Sequence, residues 1–360
     1  MEGQRALQAL DAEQRNALAT QGATLLLLDV PAGTTIGIDF TSYTAGDKFA
    51  GLKMIPPGLH FLSYCAAAAS DRAEAPIKAG FWFVATLGAV LVRRWDAAAE
   101  EFAPEGAVDT EELARFEAAV REHQFDSTTG PYPYDSHGDW RTLTQHLTIH
   151  ALKRHQPDPG AAVAGTDLEG FDPNDEVLMA DPRLLEAALA RATDHAPPVT
   201  FSEVAARPRP RPGGSNPLDR SHELAELHSA LPESVPGAAA SSRVGPRAAA
   251  VLAELELAFV LFMLISSWSA FEQWKKMVVL LCSCDEDVSK PSREPLFLAF
   301  LRLFRAQLAY TPRELFTDEL AKDNFLQLAL SVCDSFSQLS LRMRLGERSA
   351  VFLLWEISPD

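Results

Sequence analysis

The 360-residue sequence predicts an α+β multidomain protein. Its expected parts are a β-rich, antiparallel sandwich or barrel-like N-terminal domain and an all-α, stacked-helix C-terminal domain. Three observations carry this expectation. Short apolar runs cut by Gly and Pro turns fill the first hundred residues, prolines crowd the stretch 156–217, and long segments with helical apolar spacing follow it. The expected boundaries are 1–155 for the β-rich part with its trailing helices and 156–217 for a Pro-rich linker with pieces able to dock. A helical domain over 218–348 and an apolar tail over 349–360 complete the chain.

After a short helix around 11–20, ATLLLLDV is an eight-residue run bounded by Gly22 and Pro31, which suits a buried strand. TTIGIDF alternates, with Ile36, Ile38 and Phe40 on one side, the period of a half-buried strand. FAGLKMI (49–55) and LHFLSYC (59–65) read as strands joined by Pro56-Pro57-Gly58. GFWFVAT and AVLVRRW flank Leu87-Gly88, the pattern of a hairpin in which glycine supplies a positive φ. A helix is expected at about 109–125, with Asp109 and Glu112 as a capping pair and Leu113, Phe116 and Val120 on its apolar face. Pro131 and Pro133 hold the next segment extended, and a second short helix is expected over about 137–153.

Within 156–217 there is one helical piece, PRLLEAALARA, and one strand-like piece, VTFSEV; ARPRPRPGGS (206–215) should be extended and solvated. Asn216-Pro217 then reads as a helix start for LDRSHELAELHSAL. The segment 246–282 gives one long or broken helix whose middle, 257–265, is apolar on every side and should be enclosed. Phe297, Phe300, Leu301, Phe304 and Leu308 line one face of the next helix. Thr311-Pro312-Arg313-Glu314 forms a capping box, and Asn324 can cap a last helix.

Forty-nine acidic residues against 32 basic ones give a net charge of −17. That balance opposes direct binding of a nucleic-acid backbone or an anionic membrane, both of which require Lys and Arg. The N-terminus has acids among its first residues and no long apolar centre, so no secretion signal is expected. The apolar stretch around 257–271 is too short between its charges for a transmembrane segment. Four irregularly spaced cysteines, Cys65, Cys282, Cys284 and Cys333, suit a reducing compartment.

Catalytic signals are sparse. There is no G-x-S-x-G, phosphate loop or H-E-x-x-H pattern. His146 and His150 have metal-ligand spacing but no third ligand at recognisable distance, and Cys282-x-Cys284 lacks both the usual spacer and a second pair. The expectation is a protein that is no enzyme and needs no cofactor and no metal.

Proline and aromatic residues give the binding candidates instead. Pro56 and Pro57 form a stiff turn beside His60, and Tyr132 and Tyr134 alternate with prolines. These groups serve either as internal clasps or as partner contacts, and the residues alone leave both open. The tail SAVFLLWEISPD, with Phe352 and Trp355, either returns to its own domain or adds as a strand to a partner sheet. Ser202, Ser215 and Ser221, in or beside the linker, are candidate phosphorylation sites, where roughly two negative charges would be added.

The run GATLLLLDVPAGTTIGIDFTSYTAGDKFAGLKMIPPGLHFLSY resembles the N-terminal signature of the AAR-two (a-one cistron) splicing-factor family, with its G-x-x-x-G-I-D and K-M-I-P-P-G-x-H-F-x-x-Y motifs. GPYPYDSHGDWRTLT, LELAFVLFMLISSWSAFEQWKKMVVLLC and FTDELAKDNFLQLAL are similar to three further family segments, in the family's order. The resemblance implies a non-enzymatic assembly factor for the U-five small nuclear ribonucleoprotein. Such a factor binds the RNase-H-like and Jab/MPN-like domains of the large pre-mRNA-processing protein, first in the cytoplasm and with release before nuclear function. No direct nucleic-acid or membrane contact and a monomeric free state are expected. Two other readings compete: a helical trafficking adaptor, which leaves the N-terminal motifs unexplained, and a metal-dependent hydrolase built on His146 and His150.

Overall fold

The computed structural model describes residues 21–66, 77–165, 199–205, 207–209, 216–231, 244–288 and 290–311. The expected helix at 11–20, the helical piece 182–192, the capping box beyond Thr311, the helix from Asn324, Ser215 and the tail with Phe352 and Trp355 lie outside these residues. The chain divides into two compact units. One comprises Met1–Arg141, Leu152–Thr200 and Leu261–Trp268; the other comprises Thr142–Ala151, Phe201–Val260 and Ser269–Asp360.

Among the described residues the first unit carries β1 (Ala23–Leu28), β2 (Thr35–Ile38), β3 (Thr41–Thr44), β4 (Gly51–Ile55), β5 (Gly58–Cys65), β6 (Lys78–Ala85), β7 (Val90–Asp96), β8 (Glu101–Phe102), helix α1 (Thr110–Arg121), β9 (Thr129–Pro131) and β10 (Val163–Ala164). One sheet has the order β8-β7-β1-β4-β9 and the other β10-β6-β5-β2-β3. The β-rich N-terminal expectation holds. The second sheet is antiparallel throughout, as expected, but the first is mixed, because β1 runs parallel to β7 and β4 parallel to β9.

That mixture corrects the expected hairpin. β6 and β7 lie in different sheets, so Leu87-Gly88 carries the chain from one sheet to the other, with Gly88 at φ 69°. Pro56-Pro57-Gly58 does the same between β4 and β5. One core draws on both sheets: Ala23, Leu25 and Leu27 of β1 meet Leu62 and Tyr64 of β5 and Phe81 and Phe83 of β6. β6 is buried on its other face too, where Trp82 stacks edge-on to Phe61 at 4.8 Å. The half-buried reading of β2 is likewise corrected, since Gly37 is buried alongside Ile36 and Ile38, its Cα facing Ser63.

Asp109 caps α1 as expected, its carboxylate accepting the Glu112 N–H at 2.8 Å. The expected helix at 137–153 is two short ones, α2 (His137–Leu143) and α3 (Ile149–His155), separated at 144–148. The C-terminal helices are α4 (Ser221–Ala230), α5 (Pro246–Ile265), α6 (Trp268–Cys282), α7 (Asp285–Val288) and α8 (Glu294–Tyr310). The strand-like piece at 199–204 has no strand geometry. Asn216-Pro217 does not start α4; the Asn216 side chain accepts from Leu218 N in a turn four residues upstream. The long apolar segment breaks at Ser266-Ser267, where Ser266 takes φ 59°.

α5 is buried at every position from 250 to 261, as its all-round apolar sequence predicts. It is the one described helix long and apolar enough to cross a membrane, yet 78% of its most apolar stretch is buried inside the protein. It is a core helix.

A tight contact sits where β4 crosses β1. Gly51 has φ +135°, and a Cβ there would stand 2.1 Å from the Leu25 carbonyl oxygen. Gly51→Ala is expected to destabilise the protein by roughly 2–4 kcal/mol, through overpacking and backbone strain together. Gly46→Ala, which meets nothing within 4 Å, should stay within about 0.5 kcal/mol of the parent. Urea denaturation midpoints of the two variants measure the difference.

Candidate functional site

The N-terminal motifs converge on one buried acid. Asp39 follows β2 with φ 52°, a left-handed conformation that Asp tolerates better than most residues, and it is 1% exposed. Its Oδ1 accepts the Phe61 N–H at 3.1 Å, and its Oδ2 lies 2.8 Å from His60 Nδ1 and 2.5 Å from the Tyr132 hydroxyl. His60 Nε2 stands 2.8 Å from the Pro56 carbonyl, which can only accept. The His60 ring thereby bridges the Asp39 carboxyl group and the β4–β5 crossover. The imidazole lies between Trp140 at 6.4 Å and Phe83 at 5.5 Å, near parallel to the first and inclined to the second.

The segment 131–140 closes this cluster. Tyr132 N donates to the Lys53 carbonyl, Tyr134 donates its hydroxyl to the Met54 carbonyl, and Trp140 Nε1 donates to the Leu59 carbonyl at 2.9 Å. Burial, and after it the Asp39 carboxylate, pushes the Tyr132 phenol far above its ordinary pKa, so it remains a donor. Burial pushes the Tyr134 phenol up as well. The motifs around Asp39, around Pro56–Tyr64 and around Tyr132–Trp140 therefore latch onto one another within the first unit.

The candidate residues differ in how much surface they expose. His60 and Tyr132 are 1% and 0% exposed and offer a partner no surface. They are internal clasps because a buried carboxylate needs their donors. Pro56 is buried and Tyr134 half-buried, while Pro57 is exposed.

The second unit repeats the device with acids that the sequence displays as interruptions of an apolar run. Glu254 and Glu256 of α5 are both 0% exposed. Glu256 accepts the His146 N–H at 2.8 Å and stands 2.7 Å from His146 Nδ1, which fixes the 144–148 turn. Burial pushes the Glu256 carboxyl up, and the His146 ring and the backbone N–H groups of His146 and Leu147 work against that shift. Glu254 accepts Ser202 N at 2.6 Å, Ser202 Oγ at 2.7 Å and Gln273 Nε2 at 3.0 Å. Further along, Arg220 Nη2 donates to the Ala205 carbonyl at 2.7 Å and to Glu223, whose Oε1 accepts Arg209 N at 2.9 Å. The described residues 202–205 and 207–209 are thus tied to the helices at Ser202, Ala205 and Arg209, while Arg207 and Arg209 are exposed.

The serine candidates change meaning accordingly. Ser202 Oγ is engaged by Glu254, and Ser221 Oγ, in a residue 3% exposed, donates to Asp219 and accepts Asp287 N. A phosphate on either displaces a built contact.

Among the described residues no group of three His, Cys, Asp or Glu side chains could hold a metal ion. His146 is committed to Glu256, and Cys284 donates its thiol to the Leu280 carbonyl. A groove of about 440 Å³ along α8 is lined by Leu298, Leu303, Arg302 and His146 among others. In it His146, the one imidazole, faces a structural carboxylate. Sequence reasoning passed over Asp39, Glu254 and Glu256. The available signal was two carboxylates inside a helix otherwise apolar on all sides, where no solvated face exists.

Tyr132→Phe removes one donor from Asp39 and is expected to cost about 1–3 kcal/mol. His60→Ala leaves the carboxylate without its ring partner and is expected to cost about 3–5 kcal/mol. Equal urea midpoints for parent and variants would refute the latch. A pH effect follows from two other rings. Burial and then His60 hold His137 below its ordinary value of 6.5, and burial and then Arg293 hold His228 below the same value. On acidification the unfolded chain takes up these protons first, so stability is expected to fall as pH drops through 6.5 and to level off below the folded values. In His137→Gln/His228→Gln, the midpoint measured from pH 7.5 to 5.5 should decline less steeply.

Comparison with known proteins agrees with the motifs. Residues 21–157 match the AAR2 N-terminal domain and residues 206–339 the AAR2 C-terminal repeat region. Protein AAR2 homolog of Homo sapiens is 31% identical over 341 residues, covering 90% of this chain and 85% of that protein. The Mus musculus homolog is 30% identical over 343 residues with the same coverage, and the Caenorhabditis elegans homolog is 29% identical over 339 residues, covering 90% and 89%. With both matches spanning the latch of the first unit and the buried acids of the second, the chain belongs to the AAR2 family.

Proposed function

We propose that this AAR2-family chain is a non-enzymatic assembly factor for the U-five small nuclear ribonucleoprotein in pre-mRNA splicing. It binds the large pre-mRNA-processing protein through that protein's RNase-H-like and Jab/MPN-like domains, holds the precursor in the cytoplasm and leaves before the particle works in the nucleus. Family membership across both folded parts carries the reading. The net charge of −17 supports it physically, because an acidic chain can cover basic, RNA-directed protein surfaces and delay RNA or helicase binding.

In this reading residues 1–155 and 218–348 are the working domains, 156–217 joins them, and 349–360 adds as a strand to a partner sheet through Phe352 and Trp355. Pro57, exposed at the sheet crossover, is a first-unit contact in this reading.

Titration calorimetry of the full chain against each isolated partner domain is expected to give a dissociation constant of about 1 µM or below for at least one. No heat at ~100 µM with either domain would overturn the assignment. Deleting 349–360 should weaken binding about tenfold while the melting temperature stays within ~2 °C. A large loss of melting temperature would instead return the tail to its own domain.

A further inference from the structure

Helix α1 is incompletely covered. Leu113, Phe116 and Val120 recur at helical spacing, yet none of its twelve residues is buried, and these three are each half-buried. Phe116 has Phe125 as a ring neighbour at 6.1 Å, and the helix lies along β7. A helix of this length is marginal in water without a packed apolar face, so a further cover on that face would stabilise it.

The surroundings specify the chemistry of that cover. Between Asp96 and Asp126 the chain places ten carboxylates against two guanidinium groups, a net −8 of the chain's −17. Arg93, Arg94 and Lys53 reach in to Glu105, Glu112 and Asp126, which still leaves carboxylates in twofold excess. Asp96 and Asp109 hold turns through backbone N–H groups. The pairs Glu111–Arg115 and Glu117–Arg121 run along the helix surface, where such pairs contribute only a few tenths of a kcal/mol and yield readily to a competing cation.

We infer that the open face of α1, with its rim from Asp96 to Asp109, docks a basic protein segment. One apolar side chain of that segment sits against Leu113, Phe116 and Val120, and its Lys and Arg residues meet the rim. A nucleic acid or an anionic membrane is repelled by the same carboxylates. The inference rests on the assembly-factor reading and names the face that reading uses.

The test uses the full chain and two probes: the isolated partner domains, and a fluorescent synthetic helix of leucines at heptad spacing with lysines elsewhere. Glu105→Lys/Glu111→Lys/Glu122→Lys alters exposed positions and should weaken binding of both probes at least about tenfold and flatten the salt dependence between ~50 and ~200 mM. Phe116→Ala should weaken binding by a similar factor with the salt dependence kept. Asp47→Lys/Glu203→Lys/Glu294→Lys carries the same charge change elsewhere and should lose less than about threefold. If the parent binds a partner domain and the α1 variants bind it within twofold, the surface falls and the assembly reading stands. If the parent binds the synthetic helix through α1 and neither domain binds, the assembly reading falls and the surface stands. Equal losses in the α1 and control triple variants also overturn the surface, since charge alone would then explain them.

Discussion

A carboxylate taken out of water must be given hydrogen-bond donors or a cation, because its uncompensated burial costs several kcal/mol. Among the described residues five acids, Asp39, Glu223, Glu254, Glu256 and Asp287, are each less than 5% exposed. Asp39, Glu256, Glu254 and Glu223 each take at least one donor from a segment that lacks regular structure of its own: Tyr132 after β9, His146 of the 144–148 turn, Ser202 and Arg209 respectively. Those segments have few ladder or helix bonds to hold them, so the buried acids define where they lie. The apolar core supplies most of the burial in each unit; the acids supply the register of what is draped over it.

The first unit makes the dependence concrete. Two sheets share a core, and the chain crosses between them at Pro56-Pro57-Gly58 and at Leu87-Gly88. At the first crossing a proline carbonyl is turned toward His60, His60 toward Asp39, and Asp39 toward Tyr132 of the segment after β9. Tyr132, Tyr134 and Trp140 each return a hydrogen bond to the β4–β5 stretch. A motif of the form K-M-I-P-P-G-x-H-F and one of the form G-P-Y-P-Y therefore belong together for a structural reason, since each satisfies polar groups that the other buries.

Local features were legible in the sequence to the extent that they depend on local energetics. The apolar run of β1, the Asp109 cap of α1 and the enclosed middle of α5 follow from periodicity and capping chemistry. Strand partnership did not follow. Leu87-Gly88 has the residues of a hairpin turn because glycine permits the positive φ in either case, but φ at a turn says nothing about whether the next strand pairs back or joins another sheet. β6 is buried on both faces, and β7 pairs in parallel with β1, a choice made by long-range burial. The two readings of the site stayed open in the sequence for a related reason. Tyr and His beside prolines suit an interface or a clasp equally, and only the position of Asp39 distinguishes them.

Acidity in this chain consequently has two physical meanings. The buried acids are fixed: their oxygens are filled by internal donors, and no outside cation competes for them without displacing those donors. The surface acids are the opposite, held by weak exposed pairs that water and salt already contest. A factor that must cover a basic surface and later let go needs its affinity to come from the second population. Exposed pairs exchange their cations for a partner's at little cost and regain them on release, so binding stays strong in sum and reversible in each contact. The interior carboxylates hold each unit whichever cations the surface pairs meet, because their hydrogen bonds do not take part in that exchange.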